Sequence, residues 1–271
     1  MILQNWIVNS NVTLSTITVF PIEKRTNTVA VLLLAGLNKP MCDQEYFMSK
    51  MARRLASKGF YAIQIDTRGH GDSSGDFKDI TAERFCEDVS LAIKYIKDNL
   101  AETIFCVGRG VSATLLSLAT GNDVKAIVGV NPLIFNLNSV KKILNPIVEG
   151  NQEISTLFKM VTSNNYVTEE EYSLLTALID LGVIESNRSS RQLLRELLNM
   201  DLNIIYNNIK CDTLWLIDSC KNKDGFVEWS PSTPFPYILA MPEYTSLRMD
   251  PLWQHNVIER VVSWISELKL Q

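Results

Sequence analysis

The sequence predicts an α/β fold: a mostly parallel central sheet flanked by helices, with a helical cap inserted over one edge. Three observations predict it. Short apolar runs, of the kind buried on both faces of a parallel sheet, alternate with longer helical stretches. Residues 132–210 break the alternation, carrying helical pattern but no convincing strand. A chain of 271 residues, 46% of them hydrophobic, is also long enough to bury one large core.

At the N-terminus, Met1-Ile2-Leu3-Gln4-Asn5-Trp6 lacks a basic segment followed by an apolar stretch and a cleavage site, so no secretory leader is expected. Residues 11–20, rich in β-branched side chains (Val12, Thr13, Thr16, Ile17, Thr18, Val19), read as an early antiparallel hairpin. Parallel strands are expected at 29–35, 61–66, 104–107, 126–130, 213–217 and 237–240. The longest apolar run, 29–37, falls far short of the roughly 20 residues that span a bilayer. Helices are expected at 46–58, 81–99, 111–119 and 256–268, joined to the strands by right-handed crossovers.

Within 132–210 helical pattern covers 154–162, 168–181 and 189–199, too long for a loop and too apolar for a linker. Residues 1–131 and 211–271 therefore form the core. Residues 132–210 form a cap over the C-terminal ends of the strands, where open α/β sheets bind ligands. A satellite bundle with no pocket beneath it is the alternative.

Composition excludes several function classes. A net charge of -4 gives no electrostatic case for nucleic acid. Five scattered cysteines without CxxC spacing (Cys42, Cys86, Cys106, Cys211, Cys220) predict neither a disulfide framework nor a zinc site, and point to a reduced, cytoplasmic protein. Gly108-Arg109-Gly110 lacks the third glycine of a dinucleotide fingerprint and the Lys-Ser/Thr of a P-loop, so no nucleotide cofactor is expected. The two histidines have no partners at ligand spacing, so no metal is expected either.

Two segments carry the chemistry. Thr103-Ile104-Phe105-Cys106-Val107-Gly108-Arg109-Gly110-Val111-Ser112-Ala113-Thr114 reads as a strand, a glycine turn and an apolar helix. It fits small-x-apex-x-small in two registers, with Gly108 or Gly110 at the apex. Gly108 is preferred, because Cys106 then closes the strand and Gly110 lets the helix pack closely. The second segment is Gly59-Phe60-Tyr61-Ala62-Ile63-Gln64-Ile65-Asp66-Thr67-Arg68-Gly69-His70-Gly71-Asp72-Ser73-Ser74-Gly75-Asp76-Phe77.

Together these segments resemble the α/β-hydrolase fold, especially its serine-aminopeptidase-like branch and the exosortase-associated hydrolases. The resemblance runs from about residue 29 to 119; strand order extends it to the C-terminus, but the cap is not recognisable. It implies that the Asp-x-Arg-Gly-His-Gly loop, with Asp66, Asp72 and Asp76, is structural and that His70 is a loop histidine rather than a base. It also implies a triad in the order nucleophile, acid, histidine.

Measured against that implication the chain is degenerate. Glycine stands at the nucleophile position in either register. The acid should follow 213–217, where alignment lands near Asn222, with Asp218 and Asp224 as displaced candidates. The histidine should lie within 241–248, which contains none; His255 comes later, at the start of the last helix. Relocated nucleophiles would be Cys106, Ser112 or Cys42, acting with His255. A buried thiol stays protonated and inert, and Ser112 reads first as a helix-packing residue.

The resemblance also implies an oxyanion hole, from the Arg109 amide and the Gly36-Leu37-Asn38 loop. Leu37, Gly108 and Arg109 are thus the expected ligand-binding residues, the Arg109 side chain being read as a surface ion pair that could alternatively add charge to the site. The expected function is non-hydrolytic binding of an apolar acyl, ester or polyketide-like ligand under the cap, as an accessory protein, lyase or cyclase. The alternative is an active acyl ester or thioester hydrolase or acyltransferase using relocated residues. A scaffold with a protein partner, or a homo-oligomer, stays open.

Overall fold

An antiparallel hairpin opens the chain. β1 (Ile2–Asn9) and β2 (Val12–Val19) pair along their length, with Asn9 opposite Val12 and the turn closed by Ser10 at a φ of 50°. The β-branched run expected to form a hairpin is thus only its second arm. The polar pair Gln4-Asn5 interrupts the strand pattern of the first. The computed structural model describes residues 1–22, 28–121, 123–133, 141–153, 155–156, 190–219, 222, 224–230 and 250–269.

Five parallel strands follow: β3 (Val29–Leu34), β4 (Tyr61–Ile65), β5 (Thr103–Arg109), β6 (Ala126–Val130) and β7 (Asp212–Asp218). Among the described residues they join one eight-stranded sheet that ends in β8 (Phe226–Trp229), in the order β1-β2-β4-β3-β5-β6-β7-β8. Every residue of β3 is buried, which is why its sequence is an unbroken apolar run. Neighbouring residues feed opposite layers. Ile104 and Cys106 face α2 (Ala82–Asn99) and α3 (Val111–Ala119), whereas Phe105 and Val107 face α1 (Phe47–Ser57) and the C-terminal helix.

Two features of the C-terminal part differ from expectation. β8 (Phe226–Trp229) returns antiparallel to β7; its four residues are too few to show a period. The strand expected at 237–240 lies outside the described residues. The last helix starts at Pro251, five residues before its expected start, with its first turn capped by the Asp250 carboxylate accepting from the Leu252 amide (2.9 Å).

The described part of 132–210 consists of α4 (Lys141–Val148), α5 (Arg191–Asn199) and α6 (Leu202–Asn207). α5 realises the helix expected at 189–199, with Ser190 as its cap accepting from Leu193 N (3.1 Å). α4 and α6 were not expected, the first because it contains Pro146 and the second because it is short. The expected helices at 154–162 and 168–181 lie outside the described residues, apart from 155 and 156. Leu144, Ile147, Leu193, Leu197 and Tyr206 join the core layer of α2 and α3. The Glu196 carboxylate also accepts from Ala82 N (2.7 Å), placing negative charge at the N-terminus of α2.

A closed circuit of hydrogen bonds ties Leu133 and Tyr206 to α3. Leu133 N donates to Thr114 Oγ1 (2.8 Å), Tyr206 Oη donates to Leu133 O (2.8 Å), and the Thr114 hydroxyl, left to donate, reaches Tyr206 Oη (2.9 Å). All three groups are buried. Tyr206→Phe keeps the edge contacts of the ring with Trp215 and Trp229 but leaves the Leu133 carbonyl without this donor. Its expected cost is about 1–3 kcal/mol, read as a lower urea midpoint with unchanged slope.

Candidate functional site

The turn between β5 and α3 is made by Gly110 alone. Its φ of 60° and ψ of -135° belong to a region that glycine reaches freely and other residues only under strain. Its N–H donates to Val130 O (2.9 Å) and its carbonyl accepts from Ala113 N (3.1 Å), fixing the reversal against β6 and the first turn of α3. Gly108, in contrast, is a strand residue paired with Leu34 and Gly129. A Cβ there would lie 2.7 Å from Ala113 Cα and from Leu116 Cδ1. The apex is therefore Gly110 in the register Gly108-Arg109-Gly110-Val111-Ser112, which corrects the preference for Gly108. The physical reason is that Gly108 lacks a side chain so that α3 can lie against the strand.

This shift moves the amide that follows the apex from Arg109 to Val111. Leu34 pairs with Gly108, so Leu37 and Val111 each lie three residues beyond a matched pair on adjacent strands. Val111 N–H, at the start of α3, has no acceptor within its own helix. In the facing loop Gly36 N donates to Asp43 Oδ2 (3.2 Å) and Asn38 N to His70 Nε2 (3.1 Å). Between them, among the described residues, the Leu37 amide has no such acceptor.

The Arg109 side chain is buried rather than superficial. Its Nη1 lies 2.9 Å from Asp43 Oδ1, with the two side chains 8% and 1% exposed. The guanidinium sits 5.2 Å from the Phe47 ring centroid and 5.8 Å from that of Trp253. Asp43 also accepts from Gln44 N (2.5 Å). It anchors a loop in which Asn38, Asp43, Glu45 and Tyr46 all have positive φ, between 50° and 63°. This pair answers the expectation of a surface ion pair: it is a buried anchor of the β3–α1 loop.

His70 is buried, and because Nε2 accepts from Asn38 the proton sits on Nδ1, beside Thr67 Oγ1 (3.0 Å) and Arg68 O (3.3 Å). Burial lowers its pKa. The ring packs edge-on against Phe77 at 5.1 Å. His70 thus ties the Leu37 loop to the loop after β4.

The remaining candidates are dispersed. Cys106 is buried in the strand, and burial pushes its thiol far up. Cys42 is half-buried with its thiol pKa raised, chiefly by burial. Ser112 is buried in α3 and His255 is exposed on the last helix. Asp218 is buried at the end of β7, where its amide donates to Asn131 Oδ1 (2.8 Å); Asp224 is exposed before β8. Segment 241–248 lies outside the described residues. The strand ends thus gather Leu37, Asp43, Arg109, Gly110, Asn131 and Asp218. Sequence reasoning missed Asp43 and Asn131, although Asn131, with φ 50°, directly follows β6 and precedes a proline.

Two neighbouring groups give opposite pH dependences. Burial, against hydrogen bonds from the Met41 and Asp72 amides, raises Asp66 to about 6. The folded state therefore takes up a proton that the unfolded carboxyl, near 3.9, refuses, and this contribution raises stability as pH falls from 7 towards 4. His70 works the other way: below about 6.5 the unfolded chain binds a proton that the buried ring resists, so stability is lost with acid. Asp66→Asn removes the first contribution only. Urea midpoints at pH 7, 6 and 5 should fall more steeply for this variant than for the wild type.

A family model described as serine aminopeptidase, S33, matches residues 28–196. The chain belongs to the serine aminopeptidase S33 family. The S33 match takes in β3 to β6, the Gly110 turn and the His70 loop. No curated protein sequence gives a significant match. Among solved structures, this S33 member is similar to Est1E from Butyrivibrio proteoclasticus with ferulic acid bound, at TM-score 0.62 and 13% identity over 98% of this chain and 100% of that one. The α/β hydrolase GrgF from Penicillium sp. sh18 is similar at TM-score 0.59 and 20% identity, covering 81% of each chain. A thioesterase domain from the curacin biosynthetic pathway is similar at TM-score 0.52 and 14% identity, covering 100% of each. At these identities the likeness concerns the α/β-hydrolase fold. Among the described residues of this S33 chain no helix is long and apolar enough to cross a membrane.

Proposed function

We propose that this protein binds an apolar acyl, ester or polyketide-like molecule without hydrolysing it, as an accessory protein, lyase or cyclase. The observation that carries the reading is Gly110 at φ 60° and ψ -135°: a hydrolase presents its nucleophile at this turn, and glycine has no atom to attack with. The Leu37 and Val111 amides would act as an oxyanion hole, holding a carbonyl or carboxylate by backbone donors that need no particular side chain. Arg109, neutralised by Asp43, adds no net charge, which favours a neutral carbonyl head group with an apolar body. Residues 132–210 would cover that body as a cap. The five dispersed cysteines fit a reducing, cytoplasmic setting.

Neither histidine supports acyl transfer. His70 Nε2 is occupied by the Asn38 amide, and His255 faces solvent. The test is turnover of p-nitrophenyl esters and acyl thioesters by the wild type and by Gly110→Ser, with calorimetric titration of ferulate and of medium-chain fatty acids. The reading expects no wild-type turnover, measurable binding, and little activity gained by Gly110→Ser, which lacks a histidine partner. Wild-type turnover that disappears in Cys42→Ala or Ser112→Ala would overturn it in favour of a relocated nucleophile.

A further inference from the structure

Among the described residues β1 is the outermost strand of the sheet, and nothing in its sequence blunts it. Natural edge strands carry lysine, proline or bulges that prevent pairing with another chain. Ile2-Leu3-Gln4-Asn5-Trp6-Ile7-Val8-Asn9 has no charge, proline or glycine, and its register with β2 is unbroken from end to end.

The ladder fixes which groups are free. Phe20 N donates to Met1 O (3.0 Å), so the odd-numbered residues of β1 exchange hydrogen bonds with β2. In an antiparallel pair the alternate residues point their N–H and C=O the other way, so those of Ile2, Gln4, Trp6 and Val8 point off the edge. Their side chains share the face of Ile17 and Val19, and Ile2, Trp6 and Val8 are 57%, 46% and 67% exposed.

We infer that β1 pairs antiparallel with β1 of a second copy about a two-fold axis at Asn5, making one continuous sheet from two. The strand is self-complementary about that point. Ile2 falls opposite Val8 of the second copy, Leu3 opposite Ile7, Gln4 opposite Trp6, and the two Asn5 side chains meet. Apolar residues thus flank an amide centre on both halves, and the outward-pointing residues become the hydrogen-bonded pairs of the new ladder. The contact is isologous and closes at two copies. Met1, Ile2, Leu3, Trp6 and Val8 are all exposed large hydrophobics on this edge, apolar surface that a second copy would partly cover.

The experiment is sedimentation velocity of the full chain at high micromolar concentration, with three variants. The wild type should sediment as a dimer. Val8→Lys, which places a charge on the pairing face, and Gln4→Pro, which removes an outward N–H without touching the β2 ladder, should each halve the mass while leaving circular dichroism unchanged. Asn5→Cys tests the register: residues facing across the axis at a non-hydrogen-bonded pair have Cα atoms about 4.5 Å apart, within disulfide reach. It should give a covalent dimer on oxidation that the wild type does not. A monomeric wild type would overturn the inference, as would a dimer that survives both substitutions and does not cross-link through position 5.

Discussion

Gly108→Ser is expected to destabilise the protein by about 3 kcal/mol or more, or to prevent folding, whereas Gly110→Ser folds at a cost of about 1–3 kcal/mol. At Gly108 the added Cβ meets backbone: Ala113 Cα at 2.7 Å and Ala113 N at 2.9 Å, with Leu116 Cδ1 at 2.7 Å. A side-chain tip could rotate away, but the first turn of α3 cannot recede without lifting from the sheet. Gly129, paired with Gly108 on β6, is constrained by side chains instead, its added Cβ falling 2.2 Å from the Trp215 ring and 3.3 Å from Ala113 Cβ. The two glycines form a shallow floor on which α3 rests. At Gly110 the cost is conformational, the strain of a side chain at φ 60°. Urea unfolding followed by circular dichroism separates the two, and a Gly108→Ser protein as stable as wild type would refute the register.

The second large effect is expected at the Asp43–Arg109 pair. Asp43→Ala leaves a guanidinium 8% exposed without its counter-ion and should cost about 3–5 kcal/mol. It also removes the acceptor for the Gly36 and Gln44 amides, freeing a loop with four residues at positive φ. Arg109→Met, which keeps the packing against Phe47 and Trp253, should cost less, since Asp43 retains its two amide donors. The double variant Asp43→Ala/Arg109→Met should recover part of the Asp43→Ala loss, because no unpaired cation remains. A double-mutant cycle by chemical denaturation measures that coupling, and strict additivity would show that the pair is not an anchor.

What the sequence disclosed follows from how each element is buried. β3 is legible because both its faces are covered, and α3 because its apolar run is bounded by the glycine turn. β1 is hidden by the polar residues at its centre, and β8 by its length. At the turn, Cys106, Gly108, Gly110 and Ser112 are all small and recur at every second position, so the motif fits in two registers and residue types cannot choose between them. The choice is made by the backbone, which reverses at Gly110. Arg109 looked superficial because its partner is 66 positions away, in a loop without helical or strand pattern. The role of His70, in contrast, was legible only through the family resemblance of its loop; its partners are Thr67 and Arg68 nearby and Asn38 in the facing loop.

The Leu133–Thr114–Tyr206 clasp has a consequence for how such a chain can diverge. Leu133 and Tyr206 are tied to each other and to the same residue of α3, so the two ends of the intervening chain are held together beside the sheet, in addition to the core packing of α4 and α5. Lengthening a closed excursion is cheap, about 0.6 kcal/mol for each doubling. With its ends clasped at Thr114, the chain between them can change length at little entropic cost while β6 and β7 keep their register.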